Sequence, residues 1–165
     1  MSLLPWIFIT ITIIGADRLS KILIISTINT TDSIQVIKGF FSIIRVENSG
    51  AAWSMFQNGR FIFIALTIIA LIFIYYFMVK THDKFLRLSL SVIAGGAIGN
   101  LIDRIAKGSV IDFFNFNFGS YNFPTFNIAD MSIVIGTVLL AYYMLFLHDK
   151  RRNQLPEEPS IGDRI

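Results

Sequence analysis

The sequence predicts an all-α membrane protein with four transmembrane helices and a small extracytoplasmic β-rich surface segment between helices 1 and 2. The chain of 165 residues is 54% hydrophobic and only 15% charged. Its mean hydropathy of +0.65 is well above that of an ordinary soluble domain. The apolar residues gather in four stretches, each close to the roughly 20 residues that cross a bilayer. No room remains for a second globular domain.

The predicted spans are residues 3–25, 61–79, 85–105 and 128–147. We expect the first to remain as a helix rather than be cleaved as a signal peptide, because no Lys or Arg precedes it. Residues 1–150 would then form one membrane domain. The polar residues that follow, 151–165, are expected to be a disordered cytoplasmic tail.

Basic residues predict the orientation of the spans. They crowd the short second connection, residues 80–87, and follow the last span at 150–152. Cytoplasmic connections of membrane proteins carry such an excess of Lys and Arg. Both termini would therefore be cytoplasmic, with segments 26–60 and 106–126 outside. This topology accounts for the net charge of +3, so no nucleic-acid partner is expected.

The two outer segments differ in their patterns. In the first, β-prone runs at 34–37 and 40–46 are split by Lys38 and Gly39, which predicts a small hairpin on the membrane surface. The second is interpreted as a loop of about twenty residues, longer than a simple connection needs. Its Phe-rich run is expected to enter the membrane interface and to take Asp112 with it. Non-helical backbone at that depth must be covered by protein or line a water-filled cavity.

Several chemistries are excluded by composition. The chain has no cysteine, which removes disulfides, thiolate metal sites and a cysteine nucleophile. Its two histidines, His82 and His148, fall at the cytoplasmic ends of spans, and no HExxH motif occurs. No metal or other cofactor is predicted.

Polar residues within the apolar helices need an explanation, because a charge in hydrocarbon costs several kcal/mol unless it is paired or hydrated. In helix 1, Asp17 and Lys21 stand at i and i+4, which predicts an internal ion pair. In helix 3, Asn100 shares a face with Asp103 and Arg104 near the end of the span. The preceding Gly95 and Gly99 form a GxxxG pattern, typical of close helix packing.

Two further polar positions allow a purely structural explanation. Asn127 and Asp130 match the N-cap and N3 positions of a capping box at the start of helix 4. Residues 47–56, which include Asn48, Gly50 and Ala51, are compatible with an interfacial helix anchored by aromatic side chains. Taken separately, either motif leaves the structural explanation open.

Depth in the membrane brings these positions together. At 1.5 Å per residue, Asp17 lies roughly 21 Å and Asn100 roughly 22 Å from the cytoplasmic starts of their helices. Asp130 lies about one turn inside helix 4 from the outer side, and Asp112 and Asn48 belong to the outer segments. The five positions share one layer, which predicts a single site. Two carboxyls in a partly desolvated pocket cannot both ionise cheaply, and this is the arrangement of aspartyl proteases.

Five ordered motifs in the chain resemble those of the lipoprotein signal peptidases (signal peptidase II), a bacterial family of four-span aspartyl endopeptidases. They are residues 17–21 (DRLSK), 48–53 (NSGAAW), 95–104 (GGAIGNLIDR), 110–113 (VIDF) and 126–130 (FNIAD). The resemblance implies that Asp112 and Asp130 form the catalytic pair. It implies supporting or substrate-contacting roles for Asp17, Lys21, Asn48, Gly50, Ala51, Asn100, Asp103, Arg104 and Asn127.

The resemblance also implies a substrate and a location. The enzyme would cut prolipoproteins on the amino side of a diacylglyceryl-modified cysteine. It would lie in the bacterial cytoplasmic (inner) membrane as a monomer, with its site near the outer leaflet and in contact with membrane lipid. The cyclic peptide globomycin would inhibit it.

Two other interpretations compete with the peptidase. A small proton-coupled transporter or channel subunit would use the carboxylates as a relay, which should place polar groups through the whole membrane thickness. The cytoplasmic halves of the spans are instead almost wholly apolar. An inactive scaffold would explain the GxxxG pattern and the capping box, but not the shared depth.

Overall fold

Four helices and four strands make up the described part of the chain, residues 2–50 and 59–148 of a computed structural model. In order they are α1 (Leu4–Thr27), β1 (Ser33–Ile37), β2 (Phe41–Asn48), α2 (Arg60–Lys80), α3 (Lys84–Lys107), β3 (Val110–Phe118), β4 (Tyr121–Asn122) and α4 (Ile128–Tyr142), which continues as a π-helical turn over Tyr143–Leu147. The predicted tail, residues 151–165, lies outside the described residues.

Three helices within these ranges are long and apolar enough to cross a membrane: Arg60–Lys80, Lys84–Lys107 and Ile128–Leu147. The first helix, α1, also has sufficient length with 24 residues. It differs by carrying Asp17, Arg18 and Lys21 close together. The four helices and the small antiparallel sheet of the predicted fold class are therefore present, whereas a crossing by α1 remains a prediction.

Helix α3 is central and packs against α1, α2 and α4. Glycines permit the close approach of α4. A Cβ on Gly96 would lie 2.3 Å from the carbonyl oxygen of Ala129, and one on Gly136 would lie 2.6 Å from Ile93 Cγ1. Toward α1, a Cβ on Gly95 would lie 2.8 Å from the Cβ of Ile13. The GxxxG pattern thus has the packing function expected of it.

One basic residue used to predict the orientation is not on the surface. Arg87 is only 2% exposed, and its Nε donates to the carbonyl oxygen of Met78 at 3.2 Å. Its side chain turns inward and links α3 to the end of α2, so it is buried although it lies in the basic connection used for the orientation.

The predicted hairpin between α1 and α2 is present as β1 and β2, but the sheet is larger than expected. Its order is β1-β2-β3-β4, with antiparallel pairing throughout. Segment 106–126, interpreted as a loop, supplies β3 and β4. The physical reason is that backbone in an apolar setting must satisfy its N–H and C=O groups, and the ladder with β2 does so.

Strand β3 connects the sheet to the helices through its alternating faces. Ile111 and Phe113 form a buried cluster with Ile24 and Ile28 at the end of α1. Because successive side chains in a strand point to opposite faces, Asp112 between them faces the other way. The apolar packing of β3 therefore fixes the position of the carboxyl.

Candidate active site

A cavity of about 410 Å³ lies where the sheet meets α3 and α4. The residues that line it are Asn48, Gly50, Asn100, Arg104, Val110, Asp112, Phe123, Pro124, Thr125, Phe126, Asp130, Ile133 and Val134. Both predicted catalytic carboxyls are among them. The cavity surface is mainly apolar, and its polar side chains come from five segments: β2, α3, β3, the connection before α4, and α4 itself.

Asp112 is held by two amide groups from different elements. Its Oδ2 accepts from Asn48 Nδ2 at 3.0 Å, and its Oδ1 accepts from Asn127 Nδ2 at 2.6 Å. The first contact follows from the strand register: Asn48 pairs with Val110 and Val46 with Asp112, so Asn48 and Asp112 are diagonal neighbours on one face.

The protonation of Asp112 is strongly influenced by its surroundings. The pKa of Asp112 is raised to about 7, mainly by burial and next by the nearby charge of Asp130. Hydrogen bonds from Asn48 and Asn127 act in the opposite direction but do not cancel the effect of burial. At neutral pH this carboxyl is therefore able to hold or to give up a proton.

Asp130 belongs to a complete capping box at the start of α4. Its N–H donates to Asn127 Oδ1 at 2.9 Å, and its Oδ2 accepts from the N–H of Asn127 at 3.2 Å. The structural explanation of this motif is confirmed. The cap uses only one carboxyl oxygen, since Oδ1 accepts from Asn100 Nδ2 at 2.7 Å. Capping and a place on the cavity wall are compatible.

Asn127 connects the two carboxyls. It is fully buried, its Oδ1 accepts from the backbone of Asp130, and its Nδ2 donates to Asp112. The same Nδ2 lies 3.3 Å from both Asn100 Oδ1 and the carbonyl oxygen of Ile111. One side chain therefore sets the relative positions of β3 and α4 at the cavity.

An ion cluster lies behind the cavity, and its members Asp17, Lys21 and Asp103 are buried. Lys21 Nζ is 2.8 Å from Asp17 Oδ2 and 2.8 Å from Asp103 Oδ2, and Arg18 pairs with the other oxygen of Asp103. The predicted ion pair of Asp17 and Lys21 is confirmed, and it extends to α3. These predicted site residues support the wall from behind instead of lining it.

Asp17 also reaches α4. Its Oδ1 accepts from the N–H of Ala129 at 3.1 Å, which satisfies a donor that the first turn of a helix leaves unpaired. A Cβ on Gly99 would lie 2.7 Å from Asp17 Oδ2. Gly99 thus gives the carboxylate the space to sit between three helices.

Arg104 brings a cation to the cavity from α3. Its guanidinium lies 5.0 Å from the ring centre of Phe63, and its Nη2 is 3.5 Å from the carbonyl oxygen of Gly50. Gly50 in turn donates its N–H to Asn48 Oδ1 at 3.0 Å. Ala51, the remaining predicted site residue, lies outside the described residues.

Within residues 2–50 and 59–148, no group of three or more His, Cys, Asp or Glu side chains is placed to hold a metal ion. What the cavity does present is a pair of carboxyls with different surroundings. Such a pair can act as acid and base in one reaction.

Comparison with known proteins identifies the family. The family model described as Signal peptidase (SPase) II matches residues 9–146. The chain belongs to the signal peptidase II family. The resemblance seen in the five sequence motifs is thereby confirmed, and the chain is a peptidase by family membership.

Other signal peptidase II proteins match most of the chain. The lipoprotein signal peptidase of Clostridioides difficile (strain 630) is 40% identical over 148 residues, which are 89% of this chain and 99% of that protein. That of Bacillus pumilus (strain SAFR-032) is 42% identical over 139 residues, 83% of this chain and 90% of that protein. A bacterial membrane enzyme solved by the in meso method at 2.3 Å has 35% identity, a TM-score of 0.81 and 93% coverage of both chains.

Some residues in or beside this candidate site were missed by sequence reasoning. Arg18 was quoted in a motif but not assigned to the site, although it pairs with Asp103. Ile133 and Val134 line the cavity, and their positions three and four after Asp130 on α4 were a usable signal. Thr125 gave no signal, because its place on the wall depends on the path of the chain between β4 and α4.

Proposed function

We propose that this membrane peptidase removes the signal peptide from diacylglyceryl-modified prolipoproteins, cutting on the amino side of the lipidated cysteine, with Asp112 and Asp130 as its catalytic pair. The main support is that both carboxyls line one cavity and that Asn127 forms hydrogen bonds to both residues. Relatives at about 40% identity are named lipoprotein signal peptidase, which supports the substrate class.

The proposed reaction uses one ionised and one protonated carboxyl. The ionised group takes a proton from water as the water oxygen bonds to the peptide carbonyl carbon, and the protonated group donates to the carbonyl oxygen. When the C–N bond breaks, the first carboxyl gives its proton to the leaving amine, and the second recovers a proton from the hydroxyl. The pKa of about 7 for Asp112 supports this scheme, because it permits a protonated member at neutral pH.

The cavity wall supports a lipid-bearing peptide as substrate. Phe123, Phe126 and Val134 supply apolar surface, while Asn48 and Arg104 supply polar groups able to contact the peptide backbone. Large exposed apolar side chains on α2, such as Phe61 and Leu66, suit contact with membrane lipid. In the proposed arrangement, the acyl chains stay in the apolar phase while the scissile bond enters the cavity.

We further propose that α1 is the fourth span, that both termini are cytoplasmic, and that the cavity lies near the outer leaflet of the bacterial cytoplasmic membrane. The enzyme acts as a monomer without a metal, and globomycin inhibits it. The position of Asp130 in the first turn of α4, on the same side as the sheet, supports a site close to one membrane surface.

The relay alternative finds little support in the other half of α3. Ser89 and Ser91 are buried there, but their hydroxyls donate to the carbonyl oxygens of Phe85 and Arg87 in the preceding turn. A relay would need polar groups that connect onward along the helix. These hydroxyls serve their own helix instead.

The test is cleavage in vitro of a diacylglyceryl-modified precursor, with its unlipidated form alongside. We expect Asp112→Asn and Asp130→Asn each to abolish cleavage while remaining folded. Asp83→Asn is the matched control, because it makes the same chemical change at the opposite end of α3, roughly 25 Å from Asn100. Asp83 caps that helix end, and Asn caps equally well. Wild-type turnover by either site variant would refute the proposed pair.

A further inference from the structure

The directions of the hydrogen bonds around Asn100 are fixed by Lys21. Lys21 Nζ lies 3.1 Å from Asn100 Oδ1, and an ammonium group can only donate. The oxygen of Asn100 must therefore face Lys21, and its NH₂ group must face away. That NH₂ group donates to Asp130 Oδ1 at 2.7 Å. The buried ammonium of Lys21 thus fixes the orientation of the Asn100 amide, and this orientation requires Asp130 Oδ1 to accept a hydrogen bond.

A second chain of fixed directions reaches Asp112. The backbone N–H of Asp130 can only donate, so Asn127 Oδ1 must accept and Asn127 Nδ2 must donate to Asp112 Oδ1. The N–H of Gly50 fixes Asn48 in the same way, so Asn48 Nδ2 donates to Asp112 Oδ2. Every oxygen of the pair accepts a hydrogen bond, and the two residues are equal in this respect.

They differ in the charge behind their donors. The donor to Asp130 Oδ1 is backed directly by the Lys21 ammonium. The donor to Oδ2 is the N–H of the N-cap Asn127, and Asp130 itself lies in the first turn of α4, where the helix dipole favours a negative charge. The donors to Asp112 are neutral amides backed by backbone groups of Gly50 and Asp130.

The other charges around the pair do not change this difference. On α1 and α3, Asp17 and Asp103 are offset by Lys21 and Arg18 within the ion cluster, and it is the Lys21 ammonium that contacts Asn100. Arg104 lines the cavity together with both carboxyls. The hydrogen-bond path from the Lys21 ammonium runs through Asn100 to Asp130.

We propose that Lys21 is a positioning residue that, through Asn100, holds Asp130 as the resting carboxylate, so that Asp112 carries the proton of the resting pair. This inference rests on the proposed function, because it divides the two roles within the proposed pair. Asp130 takes the proton from the attacking water, and Asp112 donates its proton to the carbonyl oxygen. In the second step, protonated Asp130 donates to the leaving amine, and Asp112 recovers a proton from the hydroxyl.

Infrared spectroscopy tests the assignment without substrate. Full-length protein labelled with ¹³C at the Asp carboxyl carbons shows the C=O band of a protonated acid. At about pH 5, above the ordinary carboxyl pKa, we expect this band in the wild type, in Asp130→Asn and in the control Asp83→Asn. We expect Asp112→Asn to lose it. A band lost in Asp130→Asn and kept in Asp112→Asn would overturn the assignment, as would its absence from the wild type.

The role of Lys21 is tested by the pH profile of cleavage. Activity requires ionised Asp130, so kcat falls as the pH falls, along an acid limb. We expect Lys21→Met and Asn100→Leu to move this limb to higher pH by about one unit, equivalent to a tenfold change in proton affinity. Lys21→Arg keeps the positive charge, so its acid limb should stay at the wild-type pH. Asn100→Leu leaves the ion pairs of Lys21 in place, which keeps the test informative if Lys21→Met is poorly folded.

Lys84→Met is the matched control, since it removes an exposed lysine from the far end of α3. A limb that stays at its wild-type pH in both Lys21→Met and Asn100→Leu would show that Lys21 is only structural. Failure of the proposed function gives a different result, namely cleavage by Asp112→Asn or Asp130→Asn, so the two failures are distinguishable.

Discussion

At the scale of single residues, Asn127 and Asp130 combine a structural and a chemical role. A capping side chain contributes about 1 kcal/mol to a helix, and the box formed by these residues is complete. Capping alone does not require the additional bonds from Asn100 to Asp130 and from Asn127 to Asp112. The same two residues begin α4 and connect it to the cavity, so stability and activity are separable by substitution.

Asn127→Ser should separate them. Serine caps a helix about as well as asparagine, but its short hydroxyl cannot also hold Asp112. We expect Asn127→Ser to lose most of its cleavage activity while keeping thermal stability closer to wild type than Asn127→Ala, which loses the cap as well. The measurements are thermal unfolding and precursor cleavage on the same samples. Equal activity in Asn127→Ser and wild type would show that the bond to Asp112 is dispensable.

A second residue-scale prediction concerns pH and stability. The pKa of Asp112 is raised from 3.8 to about 7 by burial, so between these values the folded state binds a proton that the unfolded state releases. The free energy of unfolding therefore falls as pH rises through this window. Asp112→Asn should lack this part of the decline. Thermal melts across the window provide the check, and a larger decline in the variant than in the wild type would contradict the prediction.

At the scale of elements, α3 works as the spine on which α1 and α4 are brought close enough to share a site. Gly96 meets the backbone of α4 at Ala129, immediately before Asp130. Gly99 leaves space for the Asp17 carboxylate. Because interiors are close-packed and a backbone carbonyl cannot move aside cheaply, these contacts restrict where α4 begins.

Gly96→Ala should therefore lower stability by about 1–3 kcal/mol, the usual cost of overpacking, and reduce cleavage by displacing the start of α4. Gly15→Ala is the matched control. Gly15 has nothing within 4 Å of an added Cβ, so the alanine should be neutral or slightly stabilising in a helix. The measurement is thermal unfolding of both variants. Equal melting temperatures for Gly96→Ala and Gly15→Ala would contradict the prediction that close packing at Gly96 excludes a larger side chain.

Much of this element-level structure was predictable from local pattern. Apolar stretches predicted the helices, and the run around Lys38 and Gly39 predicted the hairpin. Strand β3 was missed because its pairing partner lies far away in sequence, with Asn48 and Asp112 separated by 64 positions. Its alternation of apolar and polar residues was present, but the pairing with β2 that makes it a strand is not contained in the local pattern.

The sequence predicted which polar residues of the candidate site lie near one another, but not which of their side chains form hydrogen bonds. Shared depth grouped Asp17, Asn48 and Asn100 with the two carboxyls, because depth follows from residue counts along helices. Which amide donates to which carboxyl depends on helix rotation and strand register, which the counts do not contain. The inward turn of Arg87 was missed for the same reason.

At the scale of the whole molecule, the sheet and the N-terminus of α3 lie at opposite ends of the helices. The sheet is joined to the ends of α1 and α3, whereas Asp83 stands between α2 and α3 at their other ends. Orientation in the membrane therefore decides which side receives the substrate.

The absence of cysteine from the whole sequence makes this orientation simple to measure. We expect Asn29→Cys, next to the hairpin, to react with a membrane-impermeant maleimide in intact cells. The matched variant His82→Cys, at the opposite side, should react only after permeabilisation, because residues 80–87 are proposed to be cytoplasmic. Cleavage activity confirms that each variant is folded. The reverse labelling pattern would invert the proposed topology.

The buried ion cluster also bears on how the chain enters the bilayer. In the proposed four-span topology α1 enters the membrane first, and Asp17, Arg18 and Lys21 make this insertion costly, because an unpaired charge in hydrocarbon costs several kcal/mol. Asp103, which pairs with both Arg18 and Lys21, belongs to α3 and emerges much later. Helix 1 should therefore remain shallow or close to the translocon until helix 3 arrives, so that insertion of the first helix is completed by the third.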